Sequence, residues 1–156
     1  MTRRKGREIA LQVLYQIEMS NLPAKEALVQ YRKHFIEASS DEEEASSFED
    51  VKDLEEAFNF ASDLVLSIEK NKNFIDEKIK EYTRNWSFDR LNSTDKNILR
   101  IAIFEMFFRP DIPEVVSINE AIELAKLYGT DDSPAFVNGI LDSIYKKELL
   151  SAKKED

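Results

Sequence analysis

The sequence contains no cysteine, one histidine, one tryptophan, three glycines and four prolines. Without cysteine there is no disulfide, no thiol nucleophile and no cysteine-ligated zinc, a composition that fits a reducing cytoplasm. The single histidine, His34, cannot complete a common catalytic triad or a histidine-based zinc site. No glycine-rich phosphate loop, G-x-S-x-G or H-E-x-x-H motif occurs. Glu120 and Glu123 stand three apart on one helix, yet carboxylate-bridged di-metal bundles need Glu-x-x-His pairs that a lone histidine cannot supply. Catalysis is therefore not expected, and neither is a cofactor or a bound metal. No apolar run approaches the roughly 20 residues of a membrane span, and the N-terminus lacks the apolar centre of a signal peptide. A soluble cytoplasmic protein is expected.

What is present is one domain's worth of chain: 156 residues, 42% of them hydrophobic, enough for a substantial core. The formal net charge of −9 is not spread evenly. Glu37 to Glu56 holds ten acidic residues and one lysine, a net of −9, and the remainder balances at 21 basic and 21 acidic residues. Exposed charges are screened beyond about 8 to 10 Å at physiological salt, so a local basic patch elsewhere still attracts phosphate. Such a patch opens the chain. Arg3, Arg4, Lys5 and Arg7 precede any acidic residue, and they sit on and before the first turn of a helix marked by Ile9, Ala10, Val13, Leu14 and Ile17. Cations there oppose the helix dipole by about 0.3 to 1 kcal/mol each, which points to a reason other than helix stability.

Asn21-Leu22-Pro23 ends the first helix, and a short second helix follows over Ala24 to Phe35. Residues 37–50 read as a solvated acidic loop without calcium-loop spacing. Val51, Leu54, Phe58, Ala61, Val65 and Ile68 mark a long third helix, and Phe74, Ile75, Ile79 and Tyr82 a fourth. Trp86, Phe88 and Leu91 lie in the connector that follows and are expected to plug the junction between two helical groups. Ser93 or Thr94 caps a fifth helix, apolar over a wide arc through Ile98, Leu99, Ala102, Ile103 and Met106. Pro110 and Pro113 end it. Ser117 and Glu120 form a capping-box pattern that predicts a helix from Ile118, closed by Gly129 in a left-handed cap. Ser133-Pro134 predicts the start of a last helix running to about Leu150, and the final SAKKED reads as a frayed tail. The expectation is an all-α fold of about seven helices with no internal repeat. It forms one domain over 1–156, as two small bundles sharing one core, about 1–83 and about 93–150, split near Thr83 to Asn92.

Four blocks, RRKGREIALQVLYQIE from Arg3, DRLNSTDKNILRIAIFE from Asp89, IPEVVSINEAIELAKLYG from Ile112 and SPAFVNGILD from Ser133, resemble the bacterial transcription antitermination factor NusB family. The acidic segment from Glu37 to Glu56 departs from that pattern and reads as a variable loop. The resemblance implies an all-helical RNA-binding protein built from two three-helix bundles. It would pair with NusE, a small-subunit ribosomal protein, bind the single-stranded boxA element of ribosomal RNA leaders, and join the antitermination complex of RNA polymerase. The arginine-rich start expected to contact RNA falls on Arg3, Arg4, Lys5 and Arg7, and the family's helix-one tyrosine on Tyr15. The loop acid falls on Asp132, the flanking rings on Tyr128 and Phe136, and the acidic residue of the NusE side on Asp95. Homodimers that cover the RNA surface are a further state implied for some members.

Physical chemistry is consistent with these roles without fixing them. Sequence-specific RNA binding uses unstacked bases on aromatic or guanidinium planes, with cations on the backbone. Tyr128 and Phe136 flank a turn that can splay rings outward, or they pack in the core. Asp132 repels phosphate but can accept from base amino groups, or it caps a helix. Tyr15, at the edge of its stripe, suits contact or packing. Two other readings stay open. One is a helical protein–protein adaptor; the other is a relative of the RNA-binding domain of RNA cytosine methyltransferases, against which the chain ends before a cofactor domain can begin.

Overall fold

The computed structural model describes residues 2–37 and 48–150. Among these there are seven α-helices and no strand, the all-helical fold expected. No described helix is long and apolar enough to cross a membrane. The expected acidic loop falls mainly on residues 38–47 and the expected tail on residues 151–156, both outside the described residues.

The chain forms two compact units, Met1–Lys70 and Asn71–Asp156. The connector from Thr83 to Asn92 is therefore not the division: the helix before it belongs with the second unit. The first unit holds α1 (Thr2–Ser20), α2 (Ala24–Tyr31), a wider π-helical turn (Arg32–Glu37), and α3 (Phe48–Lys70). The predicted stripe of α1 is buried at Ile9, Ala10, Val13 and Leu14, and α1 packs along α3, which buries Ala57, Phe58, Ala61, Leu64, Val65 and Ile68. Asn21 ends α1 with a positive φ of 55°, a left-handed conformation that asparagine tolerates better than most residues. Its amide donates to the Ile17 carbonyl at 2.8 Å.

The second unit holds α4 (Lys72–Tyr82), a short 3₁₀ turn (Phe88–Arg90), α5 (Ser93–Phe108), α6 (Glu114–Tyr128), α7 (Ser133–Ile144) and a terminal π-helical turn (Tyr145–Leu150). Helix α5 is central, packing against α4, α6 and α7, and every residue from Asp95 to Met106 is buried. Burying charge is costly unless it is paired and hydrogen-bonded. Arg100 meets Asp76 of α4 through two hydrogen bonds, 2.8 and 3.1 Å, and donates to Asn97 Oδ1 at 2.8 Å. That pairing, and the bonds of Lys78 and Tyr82 of α4 to Glu148, tie α4 to this unit.

Several predicted helix ends differ. Asn92, rather than Ser93 or Thr94, caps α5, accepting from the amides of Thr94 at 2.8 Å and Asp95 at 3.4 Å. Helix α6 begins at Glu114 behind Pro113, so Ser117 lies inside it and the capping box does not form. The Ser117 hydroxyl donates instead to the fully buried carboxylate of Glu105, at 2.8 Å. Gly129 is not left-handed: its φ and ψ of −93° and −167° are extended. It is glycine because a Cβ there would lie 2.5 Å from the Ser133 side chain and 2.8 Å from the Ala125 carbonyl. Ser133 is the first residue of α7 rather than its cap, and its Oγ accepts from the Thr130 amide at 2.9 Å. Trp86 does not plug a junction, since 54% of it is exposed.

Candidate nucleic-acid interface

In the first unit the basic start of the chain lies on α1 itself. Arg3, Arg4 and Lys5 are exposed, whereas Arg7 is only 4% exposed. The guanidiniums of Arg3 and Arg7 both lie 5.5 Å from the centre of the Phe60 ring on α3, a cation–π distance. Gly6 makes this approach feasible: a Cβ there would come 2.6 Å from Phe60 Cδ1 and 2.9 Å from the Ala57 carbonyl. The ring thus draws the arginines into place against the unfavourable helix dipole. Lys5 lies 3.8 Å from Glu8. Tyr15, two turns further on, is 45% exposed. His34 lines a cavity of about 760 Å³ with Gln12, Gln16, Tyr31 and Phe35.

In the second unit Tyr128, Asp132 and Phe136 flank the turn from α6 to α7. Tyr128 is 41% exposed, Asp132 is exposed and makes no side-chain capping bond, and Phe136 is half-buried. The turn is closed by the Gly129 amide on Ala125 O at 2.9 Å and the Ser133 amide on Thr130 O at 3.1 Å. Phe136 meets Trp86 edge-on, with ring centres 5.5 Å apart and planes at 89°. Asp95 stands apart from this group: it is 8% exposed, and its Oδ1 is buried without a hydrogen-bond partner. Near it the Phe88 ring has Lys96 Nζ at 4.6 Å and Lys80 Nζ at 5.1 Å from its centre. Among the described residues no group of acids and histidine could hold a metal ion.

Sequence reasoning missed Phe60 and Trp86. Phe60 lies off the core stripe of α3, and Trp86 sits in a connector where apolar residues ordinarily read as packing.

The sequence profile described as the NusB family matches residues 4–146. The chain belongs to the NusB family. It is 46% identical over 143 residues to the transcription antitermination protein NusB of Geotalea uraniireducens (strain Rf4), covering 92% of this chain and 93% of that protein. It is 38% identical over 156 residues to the protein of that name from Thermodesulfovibrio yellowstonii, covering 100% and 99%. Among solved structures, T. maritima NusB matches with a TM-score of 0.75 at 34% identity, over 99% of this chain and 97% of that one. A chain from the crystal structure of antitermination factors NusB and NusE in complex with dsRNA matches with a TM-score of 0.72 at 25% identity, over 93% and 96%.

Proposed function

We propose that this chain is a non-catalytic transcription antitermination factor. With NusE it binds boxA-type single-stranded RNA of ribosomal RNA leaders and makes RNA polymerase resistant to termination. The observation that carries the reading is near full-length relatedness to proteins named transcription antitermination protein NusB, 46% identical over 92% of the chain. The similarity to a structure of NusB and NusE with RNA supports both partners.

Within this reading the phosphate contacts fall to Arg3, Arg4 and Lys5, which are exposed. Arg7, buried beside Phe60, positions the start of α1 rather than meeting phosphate itself. Tyr15, Tyr128 and Phe136 offer ring surface to bases, and Asp132 offers an acceptor to base amino groups. Asp95 serves the NusE side: its unpartnered Oδ1 would accept a donor brought by the partner, once neighbouring side chains give way to admit it.

The test is binding of a labelled boxA-like single strand, and of a duplex of the same sequence, with and without NusE across salt. Three phosphate contacts on a single strand give a log–log salt slope of roughly −2, at about −0.7 each. Tighter binding of the duplex would overturn the single-strand assignment. A slope near zero, or full affinity after replacing Arg3, Arg4 and Lys5 by alanine, would overturn the role of the cluster. NusE binding without RNA affinity in any combination would favour a protein–protein adaptor instead.

A further inference from the structure

We infer that a cleft in the second unit, between the turn Thr83–Trp86 and the outer face of α7, takes one unstacked nucleotide of the RNA, whose sugar–phosphate chain passes over Gly139. The inference rests on the RNA-binding reading above and adds a site to it.

Gly139 is the first indication. It lies in the middle of α7, is exposed, and a Cβ built on it would meet nothing within 4 Å among the described residues. Its φ is not positive, so no turn requires glycine there, and glycine inside a helix is less stable than alanine. Nothing among the described residues gives a reason for this glycine, and close approach by a bound partner supplies one. This differs from Gly6 and Gly129, where a Cβ would collide with the protein itself.

The neighbours of Gly139 say what approaches. Phe136, Gly139, Ser143 and Lys147 follow at spacings of three, four and four, so they lie along one face of α7 and its terminal turn. Facing the far part of this stripe is a fixed turn. Trp86 N–H donates to the Thr83 carbonyl at 3.0 Å, and the buried Thr83 hydroxyl donates to the Ile79 carbonyl at 2.6 Å. The turn presents Arg84, Asn85 and Trp86, which line a cleft of about 330 Å³ together with Ser143 and Lys147. The indole is held perpendicular to Phe136 yet remains 54% exposed.

These groups divide as a nucleotide would require. An exposed indole on a hydrogen-bonded turn is a stacking platform for a base, Asn85 and Ser143 supply hydrogen-bonding groups for its edge, and Arg84 and Lys147 supply two cations for flanking phosphates. Lys147 Nζ lies 5.5 Å from the centre of the Tyr82 ring, and Arg84 is exposed. Glu81 also lines the cleft; Lys78 lies 3.4 Å from it but is shared with Glu148, so the two cations of the cleft stand against one carboxylate that is only partly offset. A glycine-flattened helix beside the cleft lets the sugar–phosphate chain run close to the backbone.

The experiment uses the full chain with NusE and a labelled boxA-like single strand, comparing Trp86→Ala, Trp86→Phe, Gly139→Ala and the double variant Arg84→Ala/Lys147→Ala. Trp86→Ala should lower RNA affinity by roughly five- to a hundred-fold, the range for loss of one base–aromatic stack, and Trp86→Phe should recover most of it. The double variant should make the salt slope shallower by about 1.4, from two contacts at about 0.7 each. Gly139→Ala should raise the melting temperature yet weaken RNA binding, which a purely structural glycine would not do. Because Trp86 is the only tryptophan, its emission should be quenched when RNA is added to the chain alone. Unchanged RNA affinity in Trp86→Ala and Gly139→Ala, or weakened binding of NusE and not of RNA, would overturn the inference. If the N-terminal alanine variant loses RNA in the same series, the RNA-binding reading stands while the cleft falls. If the unmodified chain binds no RNA, the reading itself falls.

Discussion

Replacing Gly6 by alanine sets two effects of a helix glycine against each other. Alanine is favoured over glycine inside a helix by about 1 kcal/mol. The new Cβ, however, would lie 2.6 Å from Phe60 Cδ1 and 2.9 Å from the Ala57 carbonyl. The ring could turn aside only by leaving the Arg3 and Arg7 guanidiniums, each 5.5 Å from its centre. The carbonyl belongs to the backbone of α3 and moves only if α1 and α3 separate along their main packing surface. Overpacking of this kind costs typically about 1 to 3 kcal/mol, and a backbone atom among the clashes favours the upper end. The net expectation is a loss of about 1 to 2 kcal/mol, which lowers the melting temperature by about 2 to 8 °C in a chain of this size. Thermal unfolding followed by far-ultraviolet circular dichroism measures it, with Gly139→Ala as the control that should gain about 0.5 to 1 kcal/mol. Equal stabilisation by both alanines would refute the assignment of Gly6 to close helix packing.

Ser117→Ala should cost about 1 to 3 kcal/mol in urea unfolding, because it removes a donor from the buried Glu105 carboxylate. Glu120→Ala should cost less, whereas a true capping box would make the two losses similar. The Lys78–Tyr82–Glu148 cluster predicts a pH window. Burial alone would raise the Glu148 carboxyl, yet hydrogen bonds from Lys78 and Tyr82 hold it below the ordinary 4.5. Its contribution is therefore present above that value and is lost as pH falls through the lower folded one. The hydrogen bond to Glu148 raises Lys78 above 10.5, and burial, then the same carboxylate, raises Tyr82 above 10.0. Those contributions are full below the ordinary values and are lost as pH rises through the raised ones. The stability gap between the unmodified chain and Glu148→Gln should then be widest from about pH 5.5 to 9 and narrow at both ends. A gap independent of pH would refute the cluster's role.

Burial along helices was legible in the sequence because it is periodic. Ile9, Ala10, Val13 and Leu14 on α1 and Ile75 and Ile79 on α4 are all buried where a 3.6-residue period puts them. Helix ends were less legible, because the atoms that decide them are brought together only by tertiary structure. Ser117 and Glu120 carry a sound local capping pattern, but Glu105 on the preceding helix takes the serine hydroxyl and Pro113 starts the helix earlier. Gly129 follows the same logic: a cap is a local explanation, and the operative constraint is the Ser133 side chain in the next helix. At the candidate site, the placement of the basic cluster on α1 and the outward turn at Asp132 could be read from charge and turn chemistry. That Arg7 faces inward, and that Trp86 faces outward against Phe136, required knowing which ring each one meets.

Arg7 is where these levels can be separated experimentally. By sequence it is one of four cations at a helix start, and four single-strand phosphate contacts would give a salt slope of roughly −3. By structure it is 4% exposed with its guanidinium over Phe60, which leaves three exposed cations and a slope of roughly −2. Arg7→Ala should therefore lower thermal stability, through lost packing of the side chain on the ring, and leave the RNA salt slope unchanged. Lys5→Ala should do the reverse, leaving stability nearly unaltered and making the slope shallower by about 0.7. If Arg7→Ala also makes the slope shallower by that amount, the guanidinium leaves Phe60 to reach phosphate when RNA binds. The stacked arrangement would then be a resting state of the basic cluster, and Phe60 would hold the arginine in reserve instead of fixing it in the fold.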